Sequence, residues 1–457
     1  MTPYYSDDSV TLYLGDCLDV MRTLPDCSVD SVVTDPPYGI GFMGKVWDHQ
    51  AIREAVERDH ATRKSLGPDS DSRPGRAAPR SSSAFGDAAI IAGPVTGGLP
   101  FQQWCESWAR ECLRVLKPGG HMLAFGGTRT SHRLACGVED AGFEMRDSIA
   151  WLYGSGFPKS LDVSKAIDKA AGAQRKAVGP NRWAEKGTAQ DFGIVNDDGW
   201  QPSPRTDTAP ATADARTWQG WGTALKPAFE PVVMGRKPLI GTVAANVLAY
   251  GTGALNIDGC RVAGEAQPFG NGTKRSAGIM GESEPRGAWA PTASGRWPAN
   301  VVLDDTQAAA LDRQSGTLTS GANPTRRGAD KFRDAYGDFT GQEECTPARG
   351  ADSGGASRFF PTFRYEAKAP TSERPRVGGV AHPTVKPVDF MRWLVRLVTP
   401  PGGVVLDPFA GSGTTAEACV VEGFRCITIE REAAYLPLIM ARLDKPIARV
   451  LGVEVAS

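Results

Sequence analysis

The nine cysteines of this 457-residue sequence include no C-x-x-C pair. That excludes the commonest zinc-site spacings and a disulfide scaffold, and it favours reduced thiols in a cytoplasmic protein. Five histidines are present, and His49, His60, His121 and His132 form no metal-ligand spacing, so no metal is expected. No apolar run approaches the ~20 residues that span a bilayer, which argues against a membrane protein. The first residues lack the basic-then-apolar order of a secretion signal. A net charge of −1 advertises no polyanionic partner, and no internal repeat is found.

Glycine and proline, by contrast, are abundant at 53 and 34 residues, so part of the length is loop. Hydrophobic content of 41% and charged content of 23% are those of a soluble globular protein. Charge is distributed unevenly. Residues 154–386 hold 29 basic against 24 acidic side chains, and the remainder holds 22 against 28. A mildly basic middle fits a nucleic-acid-facing insert, although differences of this size are common between arbitrary segments.

Apolar patterning predicts strands over 10–14 and 29–33 with a helical turn over 17–23 between them. After a polar stretch over about 61–98, it predicts a helix over 104–116 stopped by Lys117-Pro118-Gly119-Gly120 and a strand over 121–125. A helix over 131–141 and one or two strands over 143–153 follow. From residue 387 the pattern alternates: helix 387–398, strand 404–406, helix 414–422, strand 425–430, helix 432–443. Such alternation implies a mostly parallel sheet covered on both faces. The middle is Gly/Pro/Ser-rich with short apolar runs at 231–234, 239–250 and 299–303. It is read as a loop-rich domain partly ordered by Trp183, Trp200, Trp218, Trp221, Trp289 and Trp297.

Two motifs carry chemistry. Thr34-Asp35-Pro36-Pro37-Tyr38 ends the strand over 29–33, and its prolines fix the backbone so that Asp35 and Tyr38 are aimed. Asp35 and the Pro36 carbonyl can accept the hydrogens of a planar amino group, and Tyr38 offers a face for a flat base. Asp-Pro turns are ordinary, but Asp-Pro-Pro-Tyr is expected by chance on the order of once in several hundred chains of this length. The second motif is Asp407-Pro408-Phe409-Ala410-Gly411-Ser412-Gly413-Thr414-Thr415, between a strand and a helix. Its glycines admit close approach of a ligand to backbone amides. Glu430, ending the next strand, stands where such sheets hold ribose hydroxyls, or serves as a helix N-terminal charge. No P-loop lysine is present, which disfavours ATP.

These residues resemble the β class of DNA amino-methyltransferases, in which the catalytic motif precedes the cofactor motif. Leu14-Gly15-Asp16 is similar to that family's adenine-contacting segment. His382-Pro383-Thr384-Val385-Lys386-Pro387 is similar to its motif near the methionine moiety of S-adenosylmethionine (SAM). Trp151 through Lys159 and Leu225-Lys226-Pro227-Ala228-Phe229-Glu230-Pro231 resemble stretches of phage-type members. The resemblance implies a circularly permuted, Rossmann-like SAM-dependent methyltransferase fold with a mostly parallel seven-stranded sheet. Residues 1–153 would form the catalytic half, 154–375 a loop-rich target-recognition insert, 376–445 the SAM-binding half and 446–457 a tail.

The implied catalytic residues are Asp35, Pro36, Pro37 and Tyr38. The implied SAM-binding residues are Asp16, Thr34, His382, Thr384, Lys386, Asp407, Phe409, Gly411, Ser412, Gly413, Thr414, Thr415 and Glu430. The partner is double-stranded DNA; a homodimer and a restriction partner are both left open. Adenine N6 is the first choice of target, since adenine members commonly carry Asp at the position of Asp35. Cytosine N4, RNA and protein amide groups are the alternatives. Arg326, Arg327, Lys331 and Arg333 either bind phosphates or form a solvated charged segment, and residues 42–47 either wall a base pocket or pack as loop.

Overall fold

In a computed structural model the described residues are 1–39, 98–154, 160–180, 206–262, 295–320, 352–363 and 374–444. Residues 42–47 and 155–159, Trp183, Trp200, Trp289, Arg326, Arg327, Lys331, Arg333 and the tail 446–457 lie outside them. Among the described residues no helix is long and apolar enough to cross a membrane.

One sheet organises the larger of two compact units, residues 1–154 with 229–457. Its strands in chain order are β1 (Tyr5–Ser6), β2 (Val10–Leu14), β3 (Val29–Thr34), β4 (Leu116–Phe125), β5 (Glu144–Leu152), β6 (Phe229–Arg236), β7 (Val301–Asp304), β8 (Thr362–Phe363), β9 (Val404–Asp407) and β10 (Arg425–Glu430). They lie side by side in the order β1-β2-β10-β9-β3-β4-β6-β5-β7-β8. Neighbours are parallel except that β1 runs against β2, and β6 runs against both β4 and β5. The strands predicted from apolar patterning are β2, β3, β4, β5, β9 and β10, and β6 completes the seven-stranded sheet that the resemblance implies. β1 extends one edge and β7 and β8 the other.

The chain's two ends interleave: β10 and β9, made last, sit between β2 and β3. The sequence dictates this burial. β3 and β9 are buried at every residue, as a strand covered on both faces must be. Successive side chains divide between the faces. Val32, Met122 and Leu406 join a core with α1 (Cys17–Met21), α2 (Leu99–Val115) and α3 (Ser131–Asp140). Val33, Leu123, Phe125 and Val405 join another with α6 (Val388–Val398) and α7 (Thr414–Glu422). The intervening helices α4 (Val243–Tyr250) and α5 (Asp305–Ser315) lie between β6 and β8 in the chain, and α8 (Leu436–Leu443) follows β10.

Three local expectations need correction. Residues 229–236, read as part of the insert over 154–375, form β6 in the middle of the sheet, where the run Val232 to Met234 is buried. Residues 117–120 do not interrupt the chain between helix and strand; they belong to β4, and the break shows instead as a register shift opposite Val29 and Ser31. The last helix is shortened to Leu436–Leu443 after a 3-10 turn at Ala433–Tyr435, with Pro437 in its first turn, where a missing amide hydrogen costs nothing.

The smaller unit, residues 155–228, has helix Val163–Ala170, paired strands Lys176–Pro180 and Thr206–Ala209, and helix Ala213–Thr217. Buried Asp168 holds it together. Its carboxylate accepts hydrogen bonds from Arg175 Nη1 at 2.6 Å, the amides of Ala211 and Thr212 at 2.9 and 3.0 Å, and the Thr212 hydroxyl at 2.8 Å. Burial opposes the charge, but these donors hold the carboxyl at about 2. Trp218 and Trp221 meet edge to face at 4.9 Å.

Candidate active site

β3 and β9 are parallel neighbours, with Leu406 opposite Val32. Their C-terminal ends therefore bring the two sequence motifs together. Thr34 Oγ1 donates to Asp407 Oδ1 at 2.7 Å, across 373 positions of sequence. The Phe409 amide donates to the same oxygen at 3.1 Å. Burial pushes the Asp407 carboxyl up to about 6, against hydrogen bonds from Thr415, Thr34 and the Phe409 amide that favour its charge.

Residues 411–415 wrap the start of α7. Gly413 caps it at φ +78°, and a Cβ there would lie 2.9 Å from Ile439 Cγ2, so the turn requires glycine. Ser412 and Thr414 hydroxyls are 3.2 Å apart, and the Ser412 carbonyl accepts Arg442 Nε at 2.9 Å. Gly411 donates its amide to Glu430 Oε2 at 2.7 Å, and Glu432 donates to Glu430 Oε1 at 2.8 Å. Glu430 thus ties the glycine loop to the end of β10. Burial pushes its carboxyl up to about 7 despite those two amides. Beyond it, the Gly15 amide donates to the Glu430 carbonyl at 2.9 Å, placing Asp16 at the end of the next strand. Asp16 caps α1 through the Leu18 amide at 2.9 Å, and Arg431 approaches it at 3.8 Å.

His382 lies over the loop: a Cβ on Gly411 would be 3.2 Å from its Nε2. Its ring meets Tyr435 edge to face at 4.7 Å, and its Nδ1 is 2.5 Å from the Thr384 carbonyl. Burial pushes the imidazole down to about 4, against the hydrogen bond to Thr384. Phe409, grouped with the loop by sequence, turns its ring away onto Trp104 and Trp108, at 5.7 and 5.4 Å.

The Asp-Pro-Pro-Tyr turn forms a second, adjoining cluster. Pro36 is buried, while Asp35, Pro37 and Tyr38 are partly exposed. Tyr38 donates its hydroxyl to Asp35 Oδ1 at 2.9 Å and lies 3.4 Å from Glu230 Oε2. Its ring rests against Gly127, where a Cβ would come within 3.0 Å of Cδ2. Lys386, grouped by sequence with the cofactor residues, places its ammonium 2.5 Å from Asp35 Oδ2 and 4.7 Å from the centre of the Phe125 ring. Burial opposes the Lys386 charge, but Asp35 and Glu230 together raise its pKa above the ordinary lysine value. Tyr38 is pushed well above the usual phenol range by burial, with Asp35 and Glu230 adding to it.

Sequence reading missed Glu230 and Gly127. Glu230 had a signal: it is a carboxylate heading the apolar run of β6, in a stretch already noted for its resemblance. Gly127 had none beyond the Gly126-Gly127 pair after β4.

The chemistry of the donor set suits a nucleoside joined to an amino acid. Asp407, Glu430 and Asp16 end three neighbouring parallel strands, and a glycine turn opens beside them. Among the described residues no group of His, Cys, Asp or Glu is placed to hold a metal ion, and eight cysteines are free thiols.

Comparison with known proteins agrees with this arrangement. The family model described as "DNA methylase", for N6 and N4 enzymes, matches residues 29–171 and 303–441, more than half of the chain. The chain belongs to the DNA methylase family. The matched residues take in both motifs and leave β6 between the two matched segments. Relatives include the type II methyltransferase M.HindIII of Haemophilus influenzae, 24% identical over 258 residues, 54% of this chain and 64% of that protein. Another is the DNA adenine methyltransferase YhdJ of Escherichia coli, 40% identical over 63 residues, 14% of this chain and 21% of that protein. The chain thus spans less than two thirds of the length of either. Among solved structures, the cytosine-N4-specific PvuII DNA methyltransferase aligns at 13% identity with a TM-score of 0.38, over 98% of this chain and 93% of its own.

Proposed function

We propose that this family member transfers a methyl group from SAM to the exocyclic amine of a base flipped out of double-stranded DNA, with adenine N6 as the target. The observation that carries the proposal is the Thr34–Asp407 hydrogen bond, which holds the amino-group acceptor and the glycine loop at one end of one sheet. Asp407, Gly411, Ser412, Gly413, Thr414 and Thr415 would hold the amino-acid end of SAM, with His382 and Thr384 above them. Glu430 would hold its ribose and Asp16 its adenine. When bound, SAM supplies an electrophilic sulfonium methyl group.

The protein's own work is positioning. The lone pair of an exocyclic amine is delocalised into its ring. Asp35 and the Pro36 carbonyl, accepting the two amine hydrogens, draw the nitrogen toward tetrahedral geometry and expose that lone pair. Tyr38 stacks on the extruded base, partly offsetting the few kcal/mol that extrusion costs. No covalent enzyme intermediate is needed, so the buried thiols Cys112 and Cys419 need no part in the chemistry. Adenine is favoured by Asp35 and by the YhdJ relative, named as an adenine enzyme; cytosine N4 presents an amine to the same acceptors.

The test is to incubate the protein with duplex DNA and labelled SAM and to identify the methylated nucleoside by mass spectrometry. N6-methyladenine is expected. N4-methylcytosine would overturn the base assignment, and label in RNA with none in DNA would overturn the substrate. Asp35→Ala should keep SAM binding and lose transfer by about 10²–10³-fold.

A further inference from the structure

Glu230 takes no part in the transfer as derived above, yet it faces the acceptor. Both oxygens of Asp35 already carry a donor: Oδ1 has the Tyr38 hydroxyl and Oδ2 the Lys386 ammonium. An ammonium on Oδ2 competes with the N–H of a target amine for the same acceptor. Lys386 has little room to withdraw. Its side chain is 9% exposed, and its ammonium lies between the Phe125 and Tyr38 rings, 4.7 and 5.6 Å from their centres. A cation so enclosed needs another anion if it is to leave the first. Glu230 Oε2 stands 3.4 Å from the ammonium.

Resting on the methyl-transfer reading, we propose that Glu230 is a positioning residue, which draws the Lys386 ammonium off Asp35 and so frees Oδ2 to accept the target amine. Glu230 can do this because of its place in the fold. It sits on β6 opposite Trp151 of β5, two residues before Val232, which pairs with Phe125 of β4. The antiparallel strand thus carries a second carboxylate to the site from outside the two sequence motifs. The handover moves no covalent bond and no proton; the ammonium gives up its 2.5 Å contact with Asp35 and closes the 3.4 Å contact it already has with Glu230.

The state of Glu230 governs the handover. Facing it are Lys386 before α6 and Asp35 and Tyr38 after β3, and Tyr38 is in turn approached by Tyr153, which follows β5. Burial raises its carboxyl above the ordinary glutamate value, against the Lys386 ammonium, which lowers it. Once protonated, Glu230 no longer attracts the ammonium, and Lys386 stays on Asp35. Turnover should therefore fall on the acid side.

The experiment is steady-state transfer from labelled SAM, at varied concentration, to saturating duplex DNA, from about pH 5 to about pH 9, for wild type, Glu230→Gln and Glu230→Asp. Glu230→Gln keeps the size and hydrogen-bonding capacity of the side chain. It should lower kcat about tenfold with an unchanged KM for SAM, and it should lose the acid limb assigned to Glu230. Glu230→Asp keeps a charge, so it should retain that limb and recover part of the rate. Thermal melts confirm that each variant is folded. A Glu230→Gln protein with wild-type rate and profile overturns the proposal. So does one that is slower with its acid limb intact, since that pattern reports packing alone. If the wild-type protein methylates no DNA, the methyl-transfer reading itself fails, and this inference falls with it.

Discussion

Asp407 and Glu430 close neighbouring strands with carboxyls that burial holds at about 6 and about 7, against ordinary values of 3.8 and 4.5. Both bind a proton more tightly in the fold than in the unfolded chain. Their contribution to stability is therefore complete below their ordinary values, and it is lost as pH rises through about 6 and then about 7. Asp168 behaves oppositely. Its carboxyl is held at about 2, so its contribution is present above 3.8 and lost as pH falls toward 2. Glu430→Gln, which removes one raised group, should flatten the fall in melting temperature between pH 4.5 and 7. An unchanged slope in a calorimetric pH series would disprove the assignment. At this scale the sequence was legible for identity and less so for role. Asp407, Glu430 and Thr34 lie where strand-end logic puts them. Lys386 could be recognised as part of a motif, but that its ammonium sits on Asp35 depends on a loop crossing that no local pattern encodes.

Among the elements, α7 and α8 set how firmly the glycine loop is held. Arg442 on α8 and Glu417 on α7 form an ion pair, with Arg442 fully buried and Glu417 5% exposed. Arg442 Nε also donates to the Ser412 carbonyl inside the loop. Arg442→Met would strand a carboxylate in the core, which costs about 3–5 kcal/mol. It would also release one anchor of the loop. A urea melt should show this loss, together with weaker SAM binding in titration calorimetry; a loss under about 1 kcal/mol would refute the pair's structural role. The helices and parallel strands themselves were readable from periodicity. β6 was not, because its apolar run is short, flanked by proline and glycine, and becomes a strand only through pairing on both sides with β4 and β5.

At the level of the whole molecule, the insertion point is defined by register. Leu152, the last residue of β5, pairs with Phe229, the first of β6, so the smaller unit is spliced into the tip of a β-hairpin. An Asn-Gly turn closes such a hairpin without strain. Replacing residues 154–227 with Asn-Gly should leave a sheet that still melts cooperatively and binds SAM, with DNA affinity reduced. Loss of cooperative melting would show that the smaller unit is needed for the sheet. The order of the two motifs foretold a permuted sheet, and the interleaving of β2, β10, β9 and β3 fulfils it.

That interleaving also bears on synthesis. A growing chain presents β2 and β3 long before β9 and β10 exist to lie between them, so both keep open edges while the intervening chain is made. Contacts as distant in sequence as Thr34 with Asp407 are the last to be repaid in entropy during folding. The Asp-Pro-Pro-Tyr turn and the glycine loop cannot meet until synthesis has passed β9 and the start of α7, so a nascent chain short of that point holds the candidate site only in halves.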